Sequence, residues 1–368
     1  MTRARRGAAT EARAALPAWL AARILVVVAW FASRWWMDHR RHGVRSPASL
    51  DGLFGWDGVF YRGIGEHGYR IDGIPSLRFF PLYPLVGRFV DWVTHIGVGT
   101  ALLVVANVSA LVAAVLVHRL TRLEGGDGRA ATRAAWLVAL VPPAFVLSWA
   151  FSEALFVALA AATFLALRRE RWWAAAALGF LTALTRPTGV FLALAAGFEA
   201  ARGIRSRKVA ELPPRLVATV APVVGTATYL WWVGREFGDW RLPMRIQDDF
   251  RGRVVNPIVR VGEAASDLVH LDKHGLHFPF AVALIVLTVI VFRRLPASYG
   301  LFATGIVVTS LAAENLNSIE RYGLNAFPLV MALALAVPSR WAERVTVTVC
   351  AAGLVGLCTL AWLGDYVP

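Results

Sequence analysis

The sequence predicts an all-α polytopic integral membrane protein, and three observations lead to that prediction. Of the 368 residues, 57% are hydrophobic and only 17% are charged, whereas soluble domains average about 45–50% apolar and about 25% charged residues. Many of the hydrophobic residues form runs long enough to cross the hydrocarbon core of a bilayer. Arginines stand in short clusters between those runs, a pattern typical of segments that orient membrane helices.

Runs of about 17–25 apolar residues predict about eleven transmembrane helices in a single transmembrane domain that covers residues 1–368. The predicted spans are 16–37, 98–118, 134–151, 152–168, 172–186, 188–202, 215–234, 278–292, 297–313, 322–338 and 345–363. The basic stretch "MTRARRGAATEAR" precedes the first span. It predicts an uncleaved signal-anchor, because the apolar run is long and lacks a clean cleavage site.

The formal net charge of +14 has two interpretations. Strong basicity can indicate nucleic-acid binding. Here the arginines punctuate apolar runs, so we expect a membrane and no nucleic acid as partner. If the N-terminus is cytoplasmic, the basic connectors face the cytoplasm. The two long polar segments, 38–97 and 235–277, then become extracytoplasmic loops.

The first of these loops carries the stretch "WDGVFYRGIGEHGYRID" from Trp56 to Asp72. Its "GIGEHG" fits a dinucleotide-binding pattern, but that pattern requires a preceding strand in a βαβ unit. We interpret the glycines as allowing turns or close backbone packing. Asp57 is predicted to start a membrane-surface helix. A carboxylate held there is also well placed to accept a proton from a hydroxyl group.

The stretch "FFPLYPL" follows at Phe79 to Leu85. Phe79, Phe80 and Tyr83 are predicted to form an interfacial aromatic face, and the two prolines are expected to prevent a regular helix interior. Two interpretations stay open. The segment is either an elbow where the chain re-enters the membrane or a surface for a lipid substrate with a polar head.

Charged residues also stand at the predicted outer ends of apolar runs. Glu153 in "SEALF" is either functional or paired with Arg186, because a carboxylate inside a membrane is costly when unpaired. Arg186 in "TRPTG" could grip a lipid phosphate, pair with Glu153 or reach toward headgroups. In "SIERYG", Arg321 is a second phosphate candidate beside Tyr322, with a simple interfacial turn as the alternative.

Metal binding is not indicated. Asp248 and Asp249 are adjacent, and neighbouring carboxylates point apart, so a solvated loop is expected there. The histidines show no ligand spacing either.

Six motifs occur in order over about residues 50–330: "WDGVFYRGIGEHGY", "FFPLYPL", "SEALF", "LTRPTGV", "FGDW" and "ERYGLNAFPL". Together they resemble the phosphatidylinositol-glycan class V family, the family of the second mannosyltransferase of GPI-anchor assembly and its bacterial relatives. The resemblance implies a GT-C type membrane glycosyltransferase that uses polyprenyl-phosphate mannose. By motif, Asp57 takes the place of the acidic residue essential for transfer. The remaining substrate-site candidates in this loop are Trp56, Glu66, His67, Tyr69, Asp72, Phe80 and Tyr83.

The implied reaction is an inverting transfer of mannose to a lipid, glycan or protein acceptor outside the cytoplasm. Asp57 would act as the base, while Arg186, Arg321 and Tyr322 would hold the donor phosphate. The scheme demands no cofactor beyond the lipid donor and leaves room for a divalent metal. The composition suggests a bacterium, so the GPI acceptor does not carry over. Alternatives are another lipid-linked sugar (arabinose, glucose or galactose), a non-enzymatic glycolipid flippase, or a structural membrane protein.

Overall fold

The computed structural model describes residues 3–202, 209–270 and 273–368. Residues 203–208 of a predicted inner connector and residues 271–272 of the predicted second loop lie outside the described residues, as does the side chain of Asp72. Within the described ranges the chain forms helices and no β-strand. In chain order the α-helices there are α1 Arg3–Arg40, α2 Pro47–Asp51, α3 Asp57–His67, α4 Tyr69–Asp72, α5 Leu82–Thr94, α6 Val98–Leu123, α7 Gly128–Leu140, α8 Glu153–Arg168, α9 Trp172–Thr185, α10 Leu192–Ala201, α11 Leu212–Phe237, α12 Leu242–Arg251, α13 Pro257–Val269, α14 His277–Arg294, α15 Ala297–Leu311, α16 Ile319–Asn325, α17 Pro328–Ala336 and α18 Arg340–Leu363.

The predicted fold class is confirmed. In the part of the chain that the structure describes, five helical stretches are long and apolar enough to cross a membrane, namely Glu11–Arg40, α6, α11, α14 and α18. Three shorter apolar stretches are α9, Pro187–Ala201 and α15. The number of eleven spans stays a prediction.

Three predicted spans are interrupted rather than continuous. The span 134–151 breaks where α7 ends at Leu140, and residues Pro142–Leu147 form a 3-10 helix. The span 188–202 begins with the 3-10 helix Pro187–Phe191. The span 322–338 breaks between Asn325 and Pro328. All three breaks lie at prolines, which remove a backbone donor and bias the preceding residue away from helix.

Both predicted outer loops contain helices. The two prolines of "FFPLYPL" stand at a helix start and not in a helix interior, because α5 begins at Leu82. Pro81 precedes that helix and Pro84 stands in its first turn, where a missing N–H group costs nothing. Asp248 and Asp249 are exposed, as expected, but they lie on α12 and not in a loop.

The chain forms two compact units. The first unit comprises residues 1–66, 84–158 and 333–368, and the second comprises residues 67–83 and 159–332. In the first unit, α1, α6, α7 and α18 pack on one another. Its buried centre includes Trp149 and Trp362, whose rings stack with centroids 4.9 Å apart.

The two ends of α18 make different contacts within the first unit. Near its start, Glu343 binds Arg129 at 2.5 Å and Arg133 at 3.2 Å. Near its finish, the carbonyl of Ala361 accepts a hydrogen bond from the Trp56 indole at 3.0 Å. Glu343 and Ala361 are about 27 Å apart along the helix axis at 1.5 Å per residue. That distance is close to the ~30 Å thickness of a hydrocarbon core.

In the second unit, α11 packs against α9 and α10, and α15 packs against α10 and α14. The approach of α9 and α11 is very close at Gly225. A Cβ atom at that position would lie 2.6 Å from the carbonyl oxygen of Phe180. The residue must therefore be glycine for the two helices to keep this separation.

Candidate functional site

Asp57 is the first residue of α3 and is partly exposed. The residue before it, Trp56, has a φ of 60°, an uncommon conformation for a bulky side chain. The hydrogen bond from the Trp56 indole to Ala361 stabilises that turn. A carboxylate in the first turn also interacts favourably with the helix dipole. The local structure thus holds the carboxyl group of Asp57 at a defined helix start.

Two contacts attach α3 to the segment that precedes α8. Gly58 is buried, and a Cβ atom there would lie 3.5 Å from the carbonyl oxygen of Ala150. One turn further on, the hydroxyl groups of Tyr61 and Ser152 form a buried hydrogen bond of 2.7 Å. Residues four apart share one helix face. The face of α3 that carries Asp57 therefore faces the start of α8.

Glu153 is the first residue of α8 and directly follows Ser152. Its exposed fraction is 0%. The helix dipole favours an acidic side chain in this first-turn position. Asp57 and Glu153 are thus the first residues of two helices of the first unit, α3 and α8. The hydrogen bond between Tyr61 and Ser152 joins the starts of these helices.

Two other candidates of the first predicted loop, Glu66 and Tyr69, have structural partners. Glu66 accepts a hydrogen bond of 2.9 Å from Arg62 one turn earlier, an arrangement that stabilises a helix modestly. His67 ends α3 and is exposed. Tyr69 is buried, and its hydroxyl donates a hydrogen bond of 2.7 Å to the carbonyl of Phe79. Asp72 ends α4.

The prediction of an interfacial aromatic face is wrong. Phe79, Phe80 and Tyr83 are 5%, 3% and 0% exposed. In the second unit, Phe80 packs against Tyr229 of α11 with ring centroids 4.6 Å apart. The hydroxyl of Tyr229 in turn donates a hydrogen bond of 2.7 Å to the carbonyl of Leu77. These rings stabilise the 69–83 segment because burial of aromatic area is highly favourable.

The second unit brings three arginines around one tyrosine. The guanidinium carbons of Arg251, Arg321 and Arg186 lie 4.4, 5.3 and 5.7 Å from the centroid of the Tyr322 ring. We name these four residues the arginine cluster. Arg186 and Arg321 are 8% and 4% exposed. Cation–π contacts favour each guanidinium at this ring, whereas the three positive charges repel one another. Because guanidinium groups bind phosphate and carboxylate oxygens, the cluster is a candidate anion site.

Arg251 belongs to the cluster although the sequence did not predict it. It ends α12, and its Nη2 donates a hydrogen bond of 3.0 Å to the carbonyl of Ser310. The following backbone pairs with the segment after α15, including hydrogen bonds from Glu314 to Arg253 and from Val255 to Ala312. Burial lowers the pKa of the Arg251 guanidinium below its usual value; the charge of Arg321 lowers it further, and Tyr322 raises it.

A buried pair lies next to Arg321 in the chain. The Nδ1 atom of His277 and the Oε1 atom of Glu320 are 2.7 Å apart, and both side chains are buried. The contact joins the start of α14 to the start of α16. Because Glu320 precedes Arg321, the pair helps to hold Arg321 in place.

The sequence contains a signal for Arg251. An arginine in a predicted outer segment runs against the positive-inside tendency, and this applies to Arg251 in "QDDFRGR" as it does to Arg186. Gln247 and His277 had no such signal; Gln247 Nε2 lies 3.5 Å from the Tyr322 hydroxyl. Among the described residues, no group of three or more His, Cys, Asp or Glu side chains could hold a metal ion.

Residues 45–202 match the family model described as mannosyltransferase (PIG-V). Three solved structures are similar over most of this chain. The Archaeoglobus fulgidus oligosaccharyltransferase tethered with an acceptor peptide is 14% identical, with 94% of this chain and 55% of that chain covered and a TM-score of 0.40. The A. fulgidus oligosaccharyltransferase AglB in complex with an inhibitory peptide and a dolichol-phosphate is 15% identical, with 94% and 56% covered and a TM-score of 0.43. ArnT from Cupriavidus metallidurans in the apo state is 17% identical, with 91% and 61% covered and a TM-score of 0.47.

This chain spans less than two thirds of the length of each of those three chains. None of the curated proteins compared with the chain matches it.

The family match over residues 45–202 and the apolar helices together support a membrane glycosyltransferase. Residues 45–202 match the PIG-V mannosyltransferase family model, in agreement with the resemblance seen in the motifs over that part of the chain. The motifs around Asp57, Glu153 and Arg186 lie within the matched residues. "FGDW" and "ERYGLNAFPL" lie beyond them.

Proposed function

We propose that the protein transfers mannose from polyprenyl-phosphate mannose to an acceptor hydroxyl on the extracytoplasmic side of the membrane. The observation that supports this most is the position of Asp57. It is a partly exposed carboxylate at a helix start within the segment that matches the mannosyltransferase family. The segment 38–97 is then the catalytic outer loop, and the acceptor is a lipid, a glycan or a protein.

The proposed orientation has the N-terminus in the cytoplasm. In the first unit, Trp56 precedes Asp57 and donates a hydrogen bond to the C-terminal end of α18. Arg129 and Arg133 form ion pairs with Glu343 at the N-terminal end of the same helix. Arg119 near the finish of α6 pairs with Glu11 of α1 at that same basic end. Because basic residues favour the cytoplasmic side, this distribution supports an extracytoplasmic Asp57.

In the proposed reaction, the Asp57 carboxylate accepts the proton of the acceptor hydroxyl. The acceptor oxygen forms a bond to the anomeric carbon of mannose as the bond from that carbon to the phosphate oxygen breaks. The electron pair of the broken bond leaves with the polyprenyl phosphate. Attack opposite the leaving group inverts the anomeric carbon. A positioned base of this kind contributes about 10²–10⁴-fold in rate.

The arginine cluster is proposed to bind the donor phosphate. Arginine binds phosphate oxygens through paired N–H groups. Negative charge grows on the phosphate as the sugar departs, so fixed cations stabilise the transition state more than the ground state. The Tyr322 ring keeps the three guanidinium groups together and limits their motion.

The test uses purified protein in lipid vesicles with radiolabelled polyprenyl-phosphate mannose and extracted acceptor lipids. Wild type should yield a new labelled product, and Asp57→Asn should reduce the rate by about 10²–10⁴-fold while donor binding is retained. Asp51→Asn is the matched control, because Asp51 is an exposed acid six residues earlier and should keep full activity.

Two results would contradict the proposal. Full transfer activity in the Asp57→Asn variant would show that Asp57 is not the base. Movement of the labelled lipid across the bilayer without any product would indicate a flippase. Unlabelled polyprenyl-phosphate glucose, galactose or arabinose added as competitor identifies the sugar. Mannose should be preferred.

A further inference from the structure

A cavity lies between α7 and α18 of the first unit, at the end away from Trp56 and Asp57. Its volume is about 310 Å³, at the lower limit of the ~300–1,000 Å³ typical of small-molecule sites. Its polar and aromatic lining comes from Thr132, Arg133 and Trp136 on α7 and from Glu343, Arg344 and Thr348 on α18. None of these residues takes part in the proposed transfer reaction.

The charges at the cavity do not balance. Glu343 is the carboxylate partner of both Arg129 and Arg133. Arg133 is 8% exposed and also donates a hydrogen bond of 2.8 Å to the carbonyl of Ala334. Arg344 is exposed and has no hydrogen bond or ion pair with any other residue that the structure describes. Three guanidinium groups thus face one carboxylate, which leaves two positive charges for an anion.

The surroundings of the cavity belong to a membrane boundary. Trp136 lines it, and Trp341 nearby on α18 is 74% exposed. Tryptophan is enriched at the headgroup level of membrane proteins. Beyond Arg344 along α18, Val345 and Val349 are exposed and apolar, as expected for a surface that contacts acyl chains. A ligand in this cavity can therefore keep its charged part at Arg344 and its apolar part along the helix.

We propose that this cavity binds the phosphate headgroup of an anionic phospholipid of the surrounding membrane. Charge complementarity selects an anion, and continuity with the exposed apolar face of α18 selects a lipid over a soluble anion. Basic pockets between membrane helices bind anionic headgroups in this way. Arg344 contacts the phosphate, Arg133 and Arg129 supply the background positive charge, and Trp136 covers the glycerol portion. The site is independent of the proposed transfer reaction.

The experiment measures lipid binding to the purified full chain by native mass spectrometry, with phosphatidylglycerol and phosphatidylcholine as probes. Wild type should bind phosphatidylglycerol more tightly than phosphatidylcholine. Arg344→Ala should weaken phosphatidylglycerol binding about fivefold, since ~1 kcal/mol per arginine corresponds to that ratio. Thr348→Trp should also weaken it, because the larger side chain fills the cavity and leaves every charge in place.

Arg13→Ala is the matched control. Arg13 is an exposed arginine of α1 at the same end of the first unit and does not line the cavity, so its loss should leave binding unchanged. The proposal is overturned if both lipids bind equally, or if Arg13→Ala weakens binding as much as Arg344→Ala. Displacement of phosphatidylglycerol by soluble glycerol phosphate at similar concentration would also overturn it, because the site would then recognise a soluble anion.

Discussion

The Arg251 guanidinium lies closer to the Tyr322 ring than that of Arg321, the residue bonded to Tyr322 in the chain. The distances to the ring centroid are 4.4 Å and 5.3 Å. A residue from a distant helix thus completes a cluster that the motif "SIERYG" only begins. The contact depends on the backbone pairing that follows α12, and it makes Arg251 a strong candidate for the donor phosphate.

Substitution of Arg251 tests that role. Arg251→Ala should lower kcat/KM for the lipid donor about 10–100-fold, because a hydrogen bond to a charged group contributes about 1.5–3 kcal/mol. Arg251→Lys should recover part of the loss, since lysine keeps the charge and loses the planar fork. Arg245→Ala is the control on the same helix, where Arg245 pairs with Asp239 at 2.7 Å. Equal losses in the Arg251 and Arg245 variants would indicate a general effect on α12.

The Tyr61–Ser152 hydrogen bond is expected to stabilise the start of α3. Tyr61→Phe should lower the free energy of unfolding by about 1–2 kcal/mol, because a buried hydroxyl loses its partner. A double-mutant cycle with Ser152→Ala isolates the pair, and a coupling energy of about 1 kcal/mol is expected. Thermal unfolding in detergent provides the measurement. A coupling energy near zero would show that the two side chains contribute separately.

Glu343→Gln should have opposite effects on stability and on lipid binding. The folded protein should lose about 1–3 kcal/mol, because the buried guanidinium of Arg133 loses a charged partner. The cavity gains positive charge, so phosphatidylglycerol should bind about fivefold more tightly. Thermal unfolding and native mass spectrometry measure the two effects on one sample. Weaker lipid binding in this variant would contradict the proposed headgroup site.

Two glycine-to-alanine substitutions should change the stability of the protein in opposite directions. Gly225→Ala should lower the unfolding temperature, because the new Cβ atom would lie 2.6 Å from the Phe180 carbonyl and force α9 and α11 apart. Gly262→Ala on α13 meets nothing within 4 Å. It should raise stability by up to about 1 kcal/mol, since alanine favours helix over glycine. A neutral Gly225→Ala would show that the helices adjust without strain.

Much of the architecture was predictable because it depends on local composition. Apolar runs predict membrane helices wherever they occur, and five described stretches meet that criterion. Asp57 was predicted to start a helix, and α3 begins there. Three predicted spans are interrupted at prolines, which a criterion based on hydropathy alone does not take into account. Local sequence therefore indicated the class of protein and the segment that carries Asp57.

The environment of each side chain required the tertiary structure. Phe80 and Tyr83 were expected at an interface and are buried instead, because Tyr229 of a distant helix covers Phe80. Arg251 joined Arg186 and Arg321 only through the pairing of the segments after α12 and α15.

By itself, the sequence indicated a membrane-embedded helical protein that resembles a mannosyltransferase family, with a conspicuous acid at Asp57. Only the folded chain decided which arginines share one tyrosine and which aromatic rings are buried. The physical reason is the separation along the chain of the residues that interact. Helix formation and membrane insertion depend on neighbouring residues, whereas cation–π contacts and burial depend on residues that are far apart in the chain.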